Sequence, residues 1–308
     1  MSWRLQISHV THYHYDHPVA ASYNEARVTP LTTSDQLTVD ARVSVEPATE
    51  TFAYWDYWGT LVHAFDVHEP HDCLVVTSNS IVDTAAATAA PGTAGNAAGN
   101  AAGNADGKGA APPAGMSSSK GGTTWRDHEA EATKDRFFEL LAPSRLVSTQ
   151  ELTDVAGELR GCDAPAQAVE AAVAWAHGQL EYGTGATHVG TSAVEALRAG
   201  QGVCQDFTHV AIALLRTAGI PARYVSGYFY PSAEAAIGAT IMGESHAWVE
   251  AWTGSWEAHD PTNLVKVAER HVVVARGRDY SDVPPLRGIF SGPPGSSSEV
   301  TVELARLA

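Results

Sequence analysis

Gly200-Gln-Gly-Val-Cys-Gln-Asp-Phe-Thr-His-Val-Ala-Ile-Ala-Leu-Leu-Arg-Thr-Ala-Gly219-Ile-Pro221 is the stretch on which the fold turns. Phe207, Val210, Ala211, Leu214, Leu215 and Ala218 recur on one helical face, so the spacing predicts a helix from Cys204 to Ala218. Gly219-Ile-Pro221 ends it. Cys204 therefore opens a helix, where unpaired N–H groups and the positive end of the helix dipole favour a thiolate. The plainer alternative is that Cys204 packs as a small hydrophobe, since it lies three residues before Phe207 on the apolar face.

Downstream the periodicity drops to two. Strands are expected over Ala222 to Tyr230, Ser245 to Trp252 and Trp256 to Asp260. In Ser245-His-Ala-Trp-Val-Glu-Ala-Trp252 small apolar residues alternate with large or polar ones. If the hairpin loop is Thr253-Gly-Ser255, Trp252 pairs with Trp256 and His246 faces Thr262. Asp260 then becomes the diagonal neighbour of His246, with Cβ atoms ~7–8 Å apart or slightly less. A loop of two or four residues would put the two side chains on opposite faces. Cys204, His246 and Asp260 thus supply a nucleophile, a base and a group to orient the base, the set needed for acyl transfer through a thioester.

Upstream, Ser192 with Glu195 forms one capping box and Ser148 with Glu151 another. Pro165 suits a first helical turn ahead of Val169, Ala172, Val173 and Ala176. Residues 1–83 read as β: Leu5, Ile7, His12-Tyr-His-Tyr15, Val39 to Val45 and Leu61 to Val67 suit pleated surfaces between turn signals. Trp55 and Trp58 are expected in a hairpin core. Residues 84–124 are mostly Ala, Gly, Asn, Thr, Ser and Pro, with too few side chains to offset the entropy of ordering. Val300-Thr-Val-Glu-Leu304 suits a last strand.

The blocks Gly202-Val-Cys-Gln-Asp-Phe-Thr-His209, Gly219-Ile-Pro-Ala-Arg-Tyr-Val-Ser-Gly-Tyr228, Ser245-His-Ala-Trp-Val-Glu250 and His259-Asp-Pro-Thr-Asn263 closely resemble the bacterial transglutaminase-like superfamily, in its order. His12-Tyr-His-Tyr-Asp16, Ser22-Tyr-Asn-Glu-Ala-Arg27 and Asp56-Tyr-Trp-Gly59 resemble the bacterial transglutaminase N-terminal region, and Gly277 to Gly288 the family's closing motif. The resemblance implies an α+β chain: an N-terminal antiparallel β-sandwich (1–83), a low-complexity linker or insertion (84–124), and a papain-like, transglutaminase-like catalytic domain (125–308). It implies a triad of Cys204, His246 and Asp260. It suggests the Cys204 N–H and the Tyr182 side chain as oxyanion donors, although in animal transglutaminases a tryptophan further upstream has that role. The Cys-Gly-(Ser/Ala)-Cys motif of papain itself is absent.

The expected activity is cysteine-dependent acyl transfer on a peptide or protein substrate, with water as acceptor. The alternatives are glutamine–amine cross-linking and a non-catalytic binding module of the same fold. Asp206 and His209 are expected to support the site rather than react. With 308 residues, 44% of them hydrophobic, the chain can build a real core. A net charge of −16 argues against nucleic acid or an anionic membrane as partner. No apolar run approaches the ~18 residues of a membrane span, and no signal-type apolar core follows Met1 to Ile7, so a cytoplasmic protein is expected. Cys73, Cys162 and Cys204 do not make a disulfide framework. His9, His12, His14, His17, His63, His68 and His71 lack metal-module spacing, so no metal and no cofactor are expected.

Overall fold

The computed structural model describes residues 2–85, 123–234 and 236–308. The low-complexity segment read over 84–124 lies outside the described residues except at its two ends. Six strands come first: β1 (Trp3–Val19), β2 (Ala21–Ala26), β3 (Gln36–Glu46), β4 (Thr51–Trp55), β5 (Leu61–Val67) and β6 (His71–Thr84). Helices α1 (Trp125–Glu129), α2 (Glu131–Arg136), α3 (Phe138–Leu141), α4 (Thr153–Leu159) and α5 (Pro165–Gln179) follow. Next come β7 (Glu181–Tyr182), α6 (Ala193–Ala199), β8 (Gln201–Gly202), α7 (Cys204–Thr217), β9 (Ala222–Phe229), β10 (Thr240–Trp252) and β11 (Trp256–His259). Strands β12 (His271–Gly277), β13 (Leu286–Ser291) and β14 (Ser296–Arg306) complete the chain.

The architecture is α+β. Among the described residues an eight-stranded antiparallel sheet runs β12-β9-β10-β14-β1-β6-β3, with β11 on β10, and a four-stranded sheet runs β13-β2-β5-β4. Tyr15, Val19, Val28, Phe65, Val67, Leu74 and Val76 fill the space between the sheets at the N-terminal end, which makes the expected sandwich. That sandwich borrows from the far end of the chain. β14 pairs with β1 from Leu5↔Arg306 to Tyr15↔Ser296, and β13 pairs with β2. The strands therefore cross the boundary drawn at residue 124.

The helical core gathers around α7. Phe207, Val210, Ala211, Leu214 and Leu215 are buried against α5, whose Ala168, Ala172 and Ala176 keep its contact face small. Ala247, Val249 and Ala251 of β10 join this core from the sheet. The capping box at Ser192 forms: its hydroxyl accepts the Glu195 N–H, and the Glu195 carboxylate accepts the Ser192 N–H at 2.8 Å. Pro165 takes the first turn of α5.

Two local expectations are corrected. Ser148 and Glu151 make no capping box. α4 starts at Thr153 behind Leu152, without a side-chain cap, and Arg198 of α6 holds the Glu151 carboxylate at 3.1 Å. Trp55 is 61% exposed rather than in a hairpin core, because β4 is the edge strand of its sheet.

β10 joins the two halves. It pairs with β14 over Thr240–Gly243 and with β9 over Glu244–Ala251. At the change of partner a Cβ on Gly243 would stand 2.7 Å from Leu304 Cδ1, so a side chain there would push Leu304 out of its place. Leu304 is 1% exposed beneath it. Leu304→Ala should cost ~2–5 kcal/mol of folding stability. Urea unfolding of the full chain measures this, and a loss below ~1 kcal/mol would mean that β14 does not tie the halves together.

Candidate active site

Cys204 stands at the first position of α7, as the periodicity predicts. Val203 ahead of it is extended, and its N–H donates to Asp206 Oδ2 at 2.8 Å. Thr187 Oγ1 donates to the same oxygen at 2.6 Å. Asp206 thus fixes the helix start, and its burial pushes its carboxyl pKa up, against the hydrogen bonds that favour the carboxylate. The Cys204 and Gln205 N–H groups belong to the first turn, which has no carbonyl partner inside the helix. Cys204 is partly buried, with Sγ 3.9 Å from the Ser245 carbonyl oxygen of β10. His209 is fully buried, and its Nε2 accepts the Tyr280 N–H at 3.1 Å. Burial lowers its pKa to about 4, so it acts as a neutral spacer.

The hairpin loop is three residues, with Trp252↔Trp256 and Val249↔His259 in register. β11 ends at His259, so His246 and Thr262 do not form the ladder pair that a longer hairpin would give. Instead the chain turns, and Asp260 swings under His246, with Nε2 2.8 Å from Oδ2. The geometry expected from the diagonal is reached by a turn. Asp260 is 1% exposed, and its lone pairs are answered. Oδ1 accepts the N–H groups of Thr262 (2.9 Å) and Asn263 (3.1 Å), and Oδ2 also accepts from Asn263 Nδ2 (2.9 Å). His271 Nε2 lies 3.4 Å from Oδ2. The Ala268 N–H points at His271 Nδ1, also at 3.4 Å, which puts the neutral ring's proton on Nε2, facing Asp260.

These contacts set the charges. Burial works against the Asp260 carboxylate, but hydrogen bonds from His246 and His271 hold its pKa well below the usual range. Burial also works against a charged His246. Its hydrogen bonds to Asp260 and Cys204, with their charges, overcome this and raise it to about 9. Nε2 is committed to Asp260, so Nδ1 is the ring nitrogen left to face the sulfur. Burial lowers the His271 pKa.

Asn263 and His271 carry no role in the sequence reading. Asn263 stood inside a motif quoted for resemblance alone. His271 arrives on β12 from beyond β9, where no local spacing points to it. Ring nitrogens of His246 and His271 and an Asp260 oxygen lie within 4.8 Å of one another, a donor set that metals use, but here the atoms face each other in hydrogen bonds.

Tyr182 lies on β7, where it pairs with Gly202, two residues before Cys204. It is half exposed and packs beside Phe207. Burial, with help from the nearby Glu244 and Cys204, pushes its hydroxyl up to about 12, which keeps the proton on oxygen. A cavity of about 350 Å³ opens over Cys204 and His246, walled by β1, β9, β14 and the 280–286 segment.

The profile of the transglutaminase-like superfamily matches residues 153–261, and that of the bacterial transglutaminase-like N-terminal region matches residues 5–83. The chain belongs to this family. It is 40% identical over 307 residues to "Uncharacterized protein ML0607" of Mycobacterium leprae (strain TN), covering 99% of this chain and 100% of the relative. It is 34% identical over 316 residues to "Uncharacterized protein Rv2569c" of Mycobacterium tuberculosis (strain ATCC 25618 / H37Rv), covering 98% and 92%. The crystal structure of "a Putative Cysteine Protease from Cytophaga hutchinsonii" superimposes with a TM-score of 0.73 at 23% identity, over 100% of this chain and 92% of that one. At that identity the likeness is one of fold.

The raised His246 pKa has a signed consequence. A group whose folded pKa lies above its unfolded value of about 6.5 stabilises fully below 6.5 and loses that contribution as pH rises through the folded value. Asp260→Asn removes the main partner that holds the imidazolium. The stability gap between wild type and variant should be largest near pH 5–6.5 and shrink as pH passes 9. Urea unfolding from pH 5 to 10 reads it, and a pH-independent gap would contradict the ion pair.

Proposed function

We propose that this protein is a cysteine-dependent acyl-transfer enzyme that hydrolyses amide bonds of a peptide or protein. The observation that supports this most is that Cys204 and His246 line one cavity while His246 Nε2 lies 2.8 Å from Oδ2 of the buried Asp260, so that Nδ1 is the ring nitrogen left for the thiol. In this reading the Cys204 proton already resides on His246 Nδ1, and the thiolate Sγ attacks the carbonyl carbon. The developing oxyanion meets the first-turn N–H groups of Cys204 and Gln205; Tyr182 does not line this cavity, and its hydroxyl bonds to Glu244. The imidazolium gives its proton to the leaving amine, and the acyl group remains as a thioester. A water then loses its proton to Nδ1, attacks the thioester and releases the acid, which restores the thiolate beside the imidazolium. Asp260, with Asn263 and His271 behind it, holds the ring in one tautomer.

Water as acceptor fits a cavity open to solvent. Three free cysteines and an acidic surface fit a reducing cytoplasm, with no role in nucleic-acid binding. Among the described residues no helix is long and apolar enough to cross a membrane.

At near-neutral pH iodoacetamide should label Cys204 faster than Cys73 and Cys162, read by peptide mass spectrometry. Equal rates would remove the basis for a nucleophile and leave a binding module of this fold. Cys204→Ala should lower amide turnover by ~10⁴-fold or more with unchanged circular dichroism. Offering a glutamine-containing peptide in water and then with a primary amine separates the acceptors: a mass gain equal to the amine less ammonia would make the protein a cross-linking transglutaminase instead.

A further inference from the structure

The cavity over Cys204 has one wall that does not come from the helical domain. Thr11 and Tyr13 of β1 and Ser298 and Val300 of β14 form it, and Leu286 closes its end. Thr11 faces Val300 and Tyr13 faces Ser298 across the β1–β14 ladder, so these four side-chain positions are set by one register. All of them lie outside residues 153–261, the part matched by the superfamily core.

The lining has a consistent chemistry. Among the described residues that line the cavity there is no Asp, Glu, Lys or Arg. Beside the Cys204 thiol and the imidazoles of His9 and His246, the polar groups are hydroxyls and the Gln205 amide, interleaved with Val189, Val203, Val300, Pro285 and Leu286. His9 at the base is buried, with its nitrogens 2.9 Å from the Tyr228 hydroxyl and 3.1 Å from Thr11 Oγ1. Burial lowers its pKa to about 4, so it brings no charge near neutral pH. A cavity of about 350 Å³ holds a side chain and its flanking backbone. A carboxylate or ammonium entering it would lose part of its water and find no counter-charge on the lining beyond the His246–Cys204 pair itself, which disfavours it against an uncharged group.

We propose that this cavity is the acyl-group subsite, that it accepts an uncharged acyl portion, either apolar or carboxamide-bearing, and that the β1–β14 wall enforces the choice. This rests on the acyl-transfer reading above. It gives the N-terminal strands a specific task, which is to select the donor.

The test uses the full-length protein and a set of N-acetyl-aminoacyl chloromethyl ketones carrying Leu, Gln, Glu or Lys side chains. Each alkylates the thiol as Sγ bonds to the methylene carbon and chloride leaves. Second-order rates at Cys204 are read by mass spectrometry and divided by the iodoacetamide rate of the same protein. The Leu and Gln probes should react at least ~10²-fold faster than the Glu and Lys probes, the discrimination expected from a few kcal/mol of unpaired burial. Val300 is half exposed, so Val300→Lys should fold, and it should raise the relative rate of the Glu probe ~10-fold while lowering that of the Lys probe. Rates within threefold across the four probes, or a Val300→Lys profile identical to wild type, would overturn the subsite while fast iodoacetamide labelling left the nucleophile standing. A Cys204 inert to iodoacetamide and to every probe would overturn both.

Discussion

A carboxylate sealed from solvent must have its oxygens answered by donors, and in this protein that demand falls on Asp260. Two backbone N–H groups, an asparagine amide and two imidazoles converge on it. The donors come from three places: the turn after β11, the middle of β10 and the start of β12. Satisfying one buried charge therefore fixes the relative position of three segments. His246 is held by this arrangement from behind, which leaves a single ring nitrogen to meet whatever α7 brings forward. α7 brings Cys204, at the one point of a helix where a sulfur meets unpaired N–H groups.

The sheet turns this local constraint into an open cleft. β10 begins as a partner of β14 and continues as a partner of β9, and His246 lies three residues past that change. The same strand thus belongs to the half that carries Cys204 and His246 and to the half that walls the cavity. Burial of Leu304 under Gly243 holds the crossing in place, and β14 carries the register on into β1. Chemistry and shape are coupled through one continuous sheet, which gives a physical reason for a strand-rich N-terminal region to accompany the helical core.

Much of the site was legible in the sequence because its key relations are local. The apolar face from Phe207 to Ala218 placed Cys204 at a helix start, and the Thr253-Gly-Ser255 loop put Asp260 on the side of His246. His271 was not legible, since it reaches Asp260 only after β12 has paired with β9, and no periodicity encodes that meeting. Asn263 was within reach: an amide three residues after a buried acid, in a turn, is a natural donor. The capping box read at Ser148 is absent because α4 starts only at Thr153, behind Leu152, so Ser148 and Glu151 both lie ahead of the helix. Trp55 misled because an aromatic residue in a hairpin says nothing about whether its strand is central or at an edge. The roles of β13 and β14 in the N-terminal sheets were hidden for the same reason as His271, since they are long-range pairings.

The central claim is that Asp260 and Cys204 together hold His246 as an imidazolium with its two nitrogens assigned to different partners. Long-range ¹H–¹⁵N NMR of the full chain, followed from pH 5 to 10, tests it most directly. The claim requires the His246 ring to stay doubly protonated until about pH 9 and then lose the Nδ1 proton while Nε2–H persists. A ring that titrates near the ordinary histidine value of about 6.5, or one that keeps Nδ1–H when neutral, would contradict it.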